Sequence, residues 1–368
     1  MTGAEAIPVT VVSGYLGAGK TTLINHVLET TERRVAVLVN DMGEVNVDAD
    51  LVARESESEG IVDLSNGCIC CELRGDLVEA AERLAESRSF EYLLVESSGI
   101  SEPVPVAKTF LDSDELSGFR LDTLVSVIDA SAFDAAFGDG ELPEHDERVD
   151  AEGRHPTEVM IDQVECCDVL LLNKRDRLSK EAMKRVERVV SRLAPRAEIV
   201  RTEFSEIDPD RILETGRFDL AEMQRSAGWK RELAHTREEE GDGHHHHDHS
   251  PATEFGVESF VVRYGEPFHP GRLDEAFSAF ADDESIIRAK GVFLIAGREE
   301  AVMGFSQAGD AVRAGPIGRW DPERDDPRSE LVFIGRGMDQ EGIKARLEDC
   351  LAGEDEGEIP RTADPFPR

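Results

Sequence analysis

The stretch GYLGAGKTT, Gly14–Thr22, decides the fold. It fits the spacing G-x-x-x-x-G-K-[ST], with Gly14, Gly19, Lys20 and Thr21 at the defining positions. An apolar run, Ile7–Val12, precedes it, and an amphipathic helical pattern, Thr21–Leu28, follows. A phosphate-binding loop requires that strand–loop–helix context. The glycines let backbone N–H groups turn inward around phosphate oxygens, and the start of the helix adds partial positive charge. Lys20 is expected to reach the β- and γ-phosphates, and the Thr21 hydroxyl to ligate Mg²⁺. Gly17, Ala18 and Thr22 complete the expected nucleotide-binding set.

Outward from this loop, apolar runs alternate with helical patterns. Strand-like runs are Ile7–Val12, Val35–Val39, Tyr92–Val95, Leu124–Ile128, Val169–Leu172 and Glu198–Val200. Amphipathic segments include Thr21–Leu28, Leu77–Ala85 and Lys180–Leu193. Such alternation predicts an α/β fold: a parallel sheet covered by helices on both faces. A polar insertion, 137–158, is expected to leave the sheet as a loop.

The base is read from LLLNKRD, which ends an apolar run at Asn173, Lys174 and Asp176. In an N-K-x-D turn the carboxylate accepts from N1 and the exocyclic amine of guanine, which adenine does not present. Lys174 can lie against the ring, and Asn173 braces the loop. LLVESSG puts Glu96 at a strand end, where an NTPase places a carboxylate near the Mg²⁺ shell, and Gly99 where a loop can approach the γ-phosphate. VNDMGEVNVD offers Asp41, Glu44 and Asp48 as a nucleotide-sensing loop. Lys20, Thr21, Glu96 and Asp41 are the catalytic candidates. No arginine finger or water-positioning glutamine is identifiable, which predicts slow intrinsic hydrolysis.

SNGCICCELRGD, Ser65–Asp76, concentrates three of the six cysteines at Cys68, Cys70 and Cys71, after an Asn-Gly turn signal and before a helical pattern. Three thiolates on a short turn can converge on one ion. Soft sulfur ligands favour zinc, Cu(I) or iron–sulfur chemistry. A cluster wants a fourth cysteine, and none is near in sequence. Zinc takes a carboxylate or water as its fourth ligand, and Co²⁺ suits similar geometry. Buried structural cysteines and a thiol redox motif are the alternatives. The run HHHHDH supplies His244, His245, His246, His247 and His249, a loose site for Zn²⁺, Ni²⁺ or Co²⁺, or else a low-complexity linker. Cys166 and Cys167 read as small core residues.

Composition sets the bounds. With 78 acidic residues against 41 basic ones, the formal charge is −37 over 368 residues. Acid is spread along the chain, as on a surface adapted to high salt. No basic stripe exists for nucleic acid. Neither a membrane-length apolar run nor a secretion-signal pattern at Met1–Val12 is present, so a cytoplasmic protein without membrane partners is expected. Residues 1–226 read as the phosphate-loop domain and 227–255 as an acidic, His-rich linker. Residues 256–352 read as a smaller α+β domain in the order β-α-β-β-β-β-α, and 353–368 as an acidic tail. Its strand candidates are Ser259–Tyr264, Val292–Ala296, Val302–Ser306, Ala311–Ala314 and Leu331–Ile334; its helices are Gly271–Phe280 and Gln340–Leu351.

Taken in order, PVTVVSGYLGAGKTTLINHVL, VLVNDMGEVNVD, SNGCICCELRGDL, ESSGISEP and LLNKRD resemble the CobW-type GTPases of the SIMIBI class. FHPGRLDEAF, GVFLIAGREEAVMGFSQAG and LVFIGRGMD resemble that family's C-terminal domain. The resemblance implies a GTP-dependent metallochaperone: GTP or GDP at Gly14–Thr22 and Asn173–Asp176, Mg²⁺ near Thr21 and Glu96, and a metal at Cys68, Cys70 and Cys71 joined by Glu44. Its cargo would be zinc, or cobalt for cobalamin synthesis or enzyme assembly, delivered to a client metalloprotein. A zinc buffer with little GTPase output is the rival reading. One departure is visible: many relatives read N-E-F-G-E where this chain has Asn40-Asp41-Met42-Gly43-Glu44, with a shorter carboxylate at Asp41.

Overall fold

The structure, a computed structural model, describes residues 6–39, 61–63, 72–87, 90–99, 103–137, 155–222, 257–321, 326–353 and 364–367. Asp41, Glu44, Asp48, Cys68, Cys70, Cys71 and His244–His249 lie outside them, as does all of the expected linker, 227–255. The chain divides into two units, Met1–Ser226 and Ala227–Arg368.

In the first unit, β1 (Ile7–Ser13) leads through the glycine loop into α1 (Lys20–Thr30). There follow β2 (Val35–Val39), β3 (Ile61–Asp63), α2 (Glu72–Ser87), β4 (Tyr92–Glu96) and α3 (Pro103–Asp112). β5 (Phe119–Asp129), α4 (Ala130–Phe137), α5 (Pro156–Glu165), β6 (Val169–Asn173), α6 (Lys180–Leu193) and β7 (Glu198–Arg201) complete it. The strands form one sheet in the order β3-β2-β4-β1-β5-β6-β7, and every pairing is parallel.

Strands buried on both faces read as continuous apolar runs rather than alternating ones. All five residues of β2, β4 and β6 are buried accordingly. Val35, Val37 and Val39 face α1 with Leu23, Ile24 and Val27. Ala36 and Leu38 face α2 and α3, against Leu77, Ala81, Val106 and Phe110. β4 and β5 follow one another in sequence yet flank β1 on opposite sides. The loop after β1 therefore opens where the connections diverge, the usual ligand position in such sheets.

At the other end of the sheet, the segment after β7 returns under it. Thr10 Oγ1 donates to Ile212 O (2.8 Å), and the buried Tyr92 hydroxyl donates to Asp122 Oδ2 (2.7 Å). The Asp122 carboxylate also accepts from Thr215 N (2.9 Å), Gly216 N (3.1 Å) and Arg120 Nη1 (3.0 Å). Burial opposes its ionisation, but the Tyr92 hydroxyl, the Thr215 and Gly216 N–H groups and the Thr123 hydroxyl outweigh burial and hold the carboxyl below its ordinary range.

The insertion at 137–158 is shorter than its sequence implies. Phe137 is a buried end of α4, and Pro156–Glu158 are the first turn of α5, capped by His155. The polar character of Thr157 and Glu158 conceals a helix start, because a first turn favours such groups. The short strand β3 and the helices α3, α4 and α5 have no separate signal in the periodic segments above.

In the second unit, β8 (Glu258–Tyr264), α7 (Pro270–Ala281), β9 (Ile286–Phe293), β10 (Ala301–Ala308), β11 (Ala311–Arg319), β12 (Ser329–Gly335) and α8 (Gln340–Glu348) follow in turn. The sheet runs β11-β10-β9-β12-β8, all antiparallel. The strand expected at Val292–Ala296 lies earlier, and Ile295 forms only an isolated bridge to Phe268. The expected last helix stops at Glu348, and Leu351 bridges to Phe268 instead. Phe277 stacks on Phe305 (centroids 3.9 Å) at the centre of the core.

Part of the expected acidic tail, 353–368, belongs to the core of the second unit instead. Phe366 is buried against Phe277 and Phe293, with centroids at 6.2 and 5.4 Å. Arg298 holds Asp364 (3.0 Å) and Pro367 O (2.8 Å). An aromatic with apolar surface to bury docks despite its acidic context. Among the described residues no helix is long and apolar enough to cross a membrane.

Asp122→Asn should lower stability by about 1–3 kcal/mol at pH 7, since it weakens a buried acceptor with several donors. A depressed carboxyl contributes its stability above the unfolded pKa and loses it as pH falls through the folded one. The gap between native and variant urea midpoints should therefore narrow from about pH 5 to about pH 3. A gap independent of pH would contradict the ionised assignment.

Candidate nucleotide site

The site begins with backbone that only glycine accepts. Gly17 (φ 72°) and Gly19 (φ 116°) are left-handed. A Cβ at Gly14 would fall 2.2 Å from Val127 O, and one at Gly19 would fall 2.4 Å from Asn173 Nδ2. The loop is thus pressed against the sheet on one side and against the N-K-x-D turn on the other. Gly19 caps α1 with no side-chain partner, so the first N–H groups of the helix face the loop's interior. Lys20 is buried and donates from Nζ to Gly14 O (2.9 Å), spanning the loop. Thr21 Oγ1 donates to Glu96 Oε1 (3.4 Å), and Glu96 is buried at the end of β4. Thr22 is exposed on the first turn. Gly99 is close under the loop, where a Cβ would fall 2.7 Å from Leu16 Cδ2.

The turn after β6 is fixed from three directions. Asn173 Nδ2 donates to Ala18 O (2.8 Å), and its Oδ1 accepts from Ser205 N (2.8 Å) and Thr202 Oγ1 (3.2 Å). Lys174 is left-handed (φ 56°) and donates from Nζ to Gly17 O (2.7 Å) and Asp129 Oδ2 (2.8 Å). Asp176 projects exposed from the short helical turn Arg175–Arg177. The structure therefore brings Gly14, Gly17, Ala18, Gly19, Lys20, Thr21, Glu96, Gly99, Asn173 and Lys174 to one edge of the sheet.

Three participants escape the sequence reading. Asp129 ends β5 in register with Asn173 and anchors Lys174. Burial works against its ionisation, but the Lys174 ammonium with Ser131 and Ala132 holds its carboxyl below the ordinary range. Its signal was available, since an acidic residue closes an apolar run one strand away. Thr202 and Ser205, whose Oγ donates to Gly19 O (3.0 Å), carry no local signal. Cys167 is buried with its thiol pushed up by burial, as a core residue should be, and Cys166 is half-buried.

Thr21 and Glu96 place two hard oxygen donors at the mouth of the loop, a donor set that fits Mg²⁺. Stretched glycine backbone, a lysine across it and a helix start define a site for a nucleoside polyphosphate.

The comparisons narrow the class. Residues 8–201 match the CobW/HypB/UreG nucleotide-binding domain, and residues 257–351 match the cobalamin synthesis protein cobW C-terminal domain. The chain belongs to the CobW family of nucleotide-binding proteins. The zinc-regulated GTPase metalloprotein activator 1 of Dictyostelium discoideum is 35% identical over 394 residues, covering 95% of this chain and 80% of that protein. The zinc chaperone CobW of Pseudomonas aeruginosa is 30% identical over 365 residues, covering 94% and 92%. Among solved structures, a Zn(II)-bound YjiA GTPase from E. coli aligns at 24% identity and TM-score 0.43, covering 95% of this chain and 100% of that one.

Asp129→Asn should lower GDP affinity about tenfold by calorimetry, because a charge-assisted hydrogen bond holding Lys174 over Gly17 is lost. Unchanged affinity would mean that Gly17 O alone positions Lys174.

Proposed function

We propose that this GTPase is a metallochaperone whose nucleotide state sets the affinity of a thiolate metal site. The cargo is Zn²⁺, held as substrate by Cys68, Cys70 and Cys71 with Glu44 and passed to a client metalloprotein. Co²⁺ is the competing cargo, since thiolate sites discriminate poorly between the two. His244–His249 serve as a loose collecting arm.

One observation carries this reading. Asp63 of β3 is in register with Val39 of β2, Val39 with Glu96 of β4, and Glu96 with Val12 of β1. The ends of β1, β2, β3 and β4 therefore share one edge. Asn40 follows β2 directly and leads into Asp41–Asp48, and Cys68 follows β3 by five residues. Three strand spacings separate β3 from β1, roughly 14 Å. Five extended residues reach up to roughly 18 Å. The cysteines are thus within chain reach of the phosphate loop, and Glu44 can meet them from the neighbouring strand. Cys71 directly precedes α2, whose N-terminal dipole favours thiolate over thiol.

The residues divide the work. Lys20 and the loop N–H groups hold the phosphates, and Asn173 and Lys174 fix the base loop while Asp176 selects guanine. Thr21 and Glu96 would hold Mg²⁺, which neutralises charge between the β- and γ-phosphates. A γ-phosphate orders the segment carrying Glu44; hydrolysis removes that restraint and loosens the metal site. Coupling requires that the two nucleotide states differ in metal affinity, and a tenfold difference corresponds to about 1.4 kcal/mol.

The test is a Zn²⁺ and Co²⁺ competition titration in molar KCl, with GDP or a non-hydrolysable GTP analogue. It is repeated on protein lacking Gly241–Ser250 and on Glu44→Ala. Affinity should change with nucleotide and survive loss of the His tract. Glu44→Ala should abolish the nucleotide effect and leave GTP binding intact. Affinity blind to nucleotide, or lost with the His tract, would indicate a metal buffer instead.

A further inference from the structure

Among the described residues, Phe204 is the least protected large apolar side chain. Four such residues are exposed among the described residues: Leu16, Leu111, Phe204 and Ile317, and Phe204 leads at 70%. A single exposed aromatic needs no explanation by itself. Its backbone does. Phe204 (φ 50°) and Ser205 (φ 56°) are successive left-handed residues, a conformation that bulky side chains avoid. Glycine or asparagine would deliver the Ser205 N–H to Asn173 without that strain, yet the chain places an aromatic there.

Both flanks of Phe204 are tied to the guanine turn. Arg175 N donates to Thr202 O (3.3 Å), and Arg175 Nε donates to Glu203 Oε1 (2.7 Å). Ser205 N donates to Asn173 Oδ1, and Ser205 Oγ to Gly19 O. The ring is therefore held out into solvent beside the turn that carries Asp176, by a segment that also touches the phosphate loop.

We infer that Phe204 forms a wall of the base pocket and stacks on the guanine ring of the bound nucleotide. The inference rests on the guanine-nucleotide reading above and adds a residue to it. Stacking is tolerant of base identity, so Phe204 supplies affinity while Asp176 supplies the choice of guanine. The strained turn serves to present the ring before nucleotide arrives.

The test compares native protein, Phe204→Gly and Phe204→Tyr in molar KCl, measuring Mg²⁺–GDP and Mg²⁺–pyrophosphate affinity and the thermal midpoint. Phe204→Gly should keep or raise the midpoint, because glycine suits the backbone. It should weaken GDP about tenfold while leaving pyrophosphate unchanged. Phe204→Tyr should bind GDP as the native protein does. In Phe204→Trp, GMP should quench the new indole and pyrophosphate should not. Native-like GDP binding by Phe204→Gly, or an equal loss for pyrophosphate, would overturn the stacking role alone. Failure of the native protein to bind GDP would overturn the guanine-nucleotide reading with it.

Discussion

The side-chain amide of Asn173 joins three loops. Its nitrogen holds the phosphate loop through Ala18 O, and its oxygen receives the backbone of Ser205 and the hydroxyl of Thr202. The amide is buried, so each of these hydrogen bonds would be costly to leave unmade. Gly19 is required because the same amide occupies the space of its Cβ. The parallel sheet makes this meeting possible. It brings the ends of β1, β6 and β7 to one edge, although their sequence positions are far apart.

In the proposed scheme, the same edge would connect nucleotide and metal. Glu96 ends β4 between the strands that lead to the glutamate segment and to the phosphate loop. A group that contacts Thr21 is therefore in register with the last residue of β2, one position before Asn40. No long pathway would be needed to link a γ-phosphate to the metal proposed at Glu44 and the cysteines. The two sites would share loops that leave adjacent strands, and only the ordering of those loops would have to differ between GTP and GDP.

Much of this was legible in the sequence, for physical reasons. The phosphate loop declares itself because its glycines satisfy steric limits that no other residue meets. The core strands declare themselves because burial on both faces demands unbroken apolar runs, as in Val35–Val39 and Val169–Leu172. Asn173 and Lys174 stand out through the N-K-x-D spacing at the end of an apolar run. Less legible were contacts that depend on chain return: Thr202 and Ser205, the Thr10–Tyr92–Asp122 group, and the docking of Phe366. None has a local pattern, because each partner is supplied from far along the chain. The first turn of α5 was hidden for another reason, since polar residues that favour a helix start also look like loop. The strand β3 is only three residues long, too short for any periodicity to mark it.

In the proposed scheme, nucleotide and metal share a free energy. Linkage makes this reciprocal: whatever factor GTP imposes on metal affinity, metal must impose on GTP affinity. The most direct measurement is the affinity of a non-hydrolysable GTP analogue and of GDP, each with and without one equivalent of Zn²⁺, on protein lacking Gly241–Ser250. The account predicts that zinc changes the affinity of the analogue and leaves that of GDP nearly unchanged. Equal affinities for the analogue with and without zinc would contradict it.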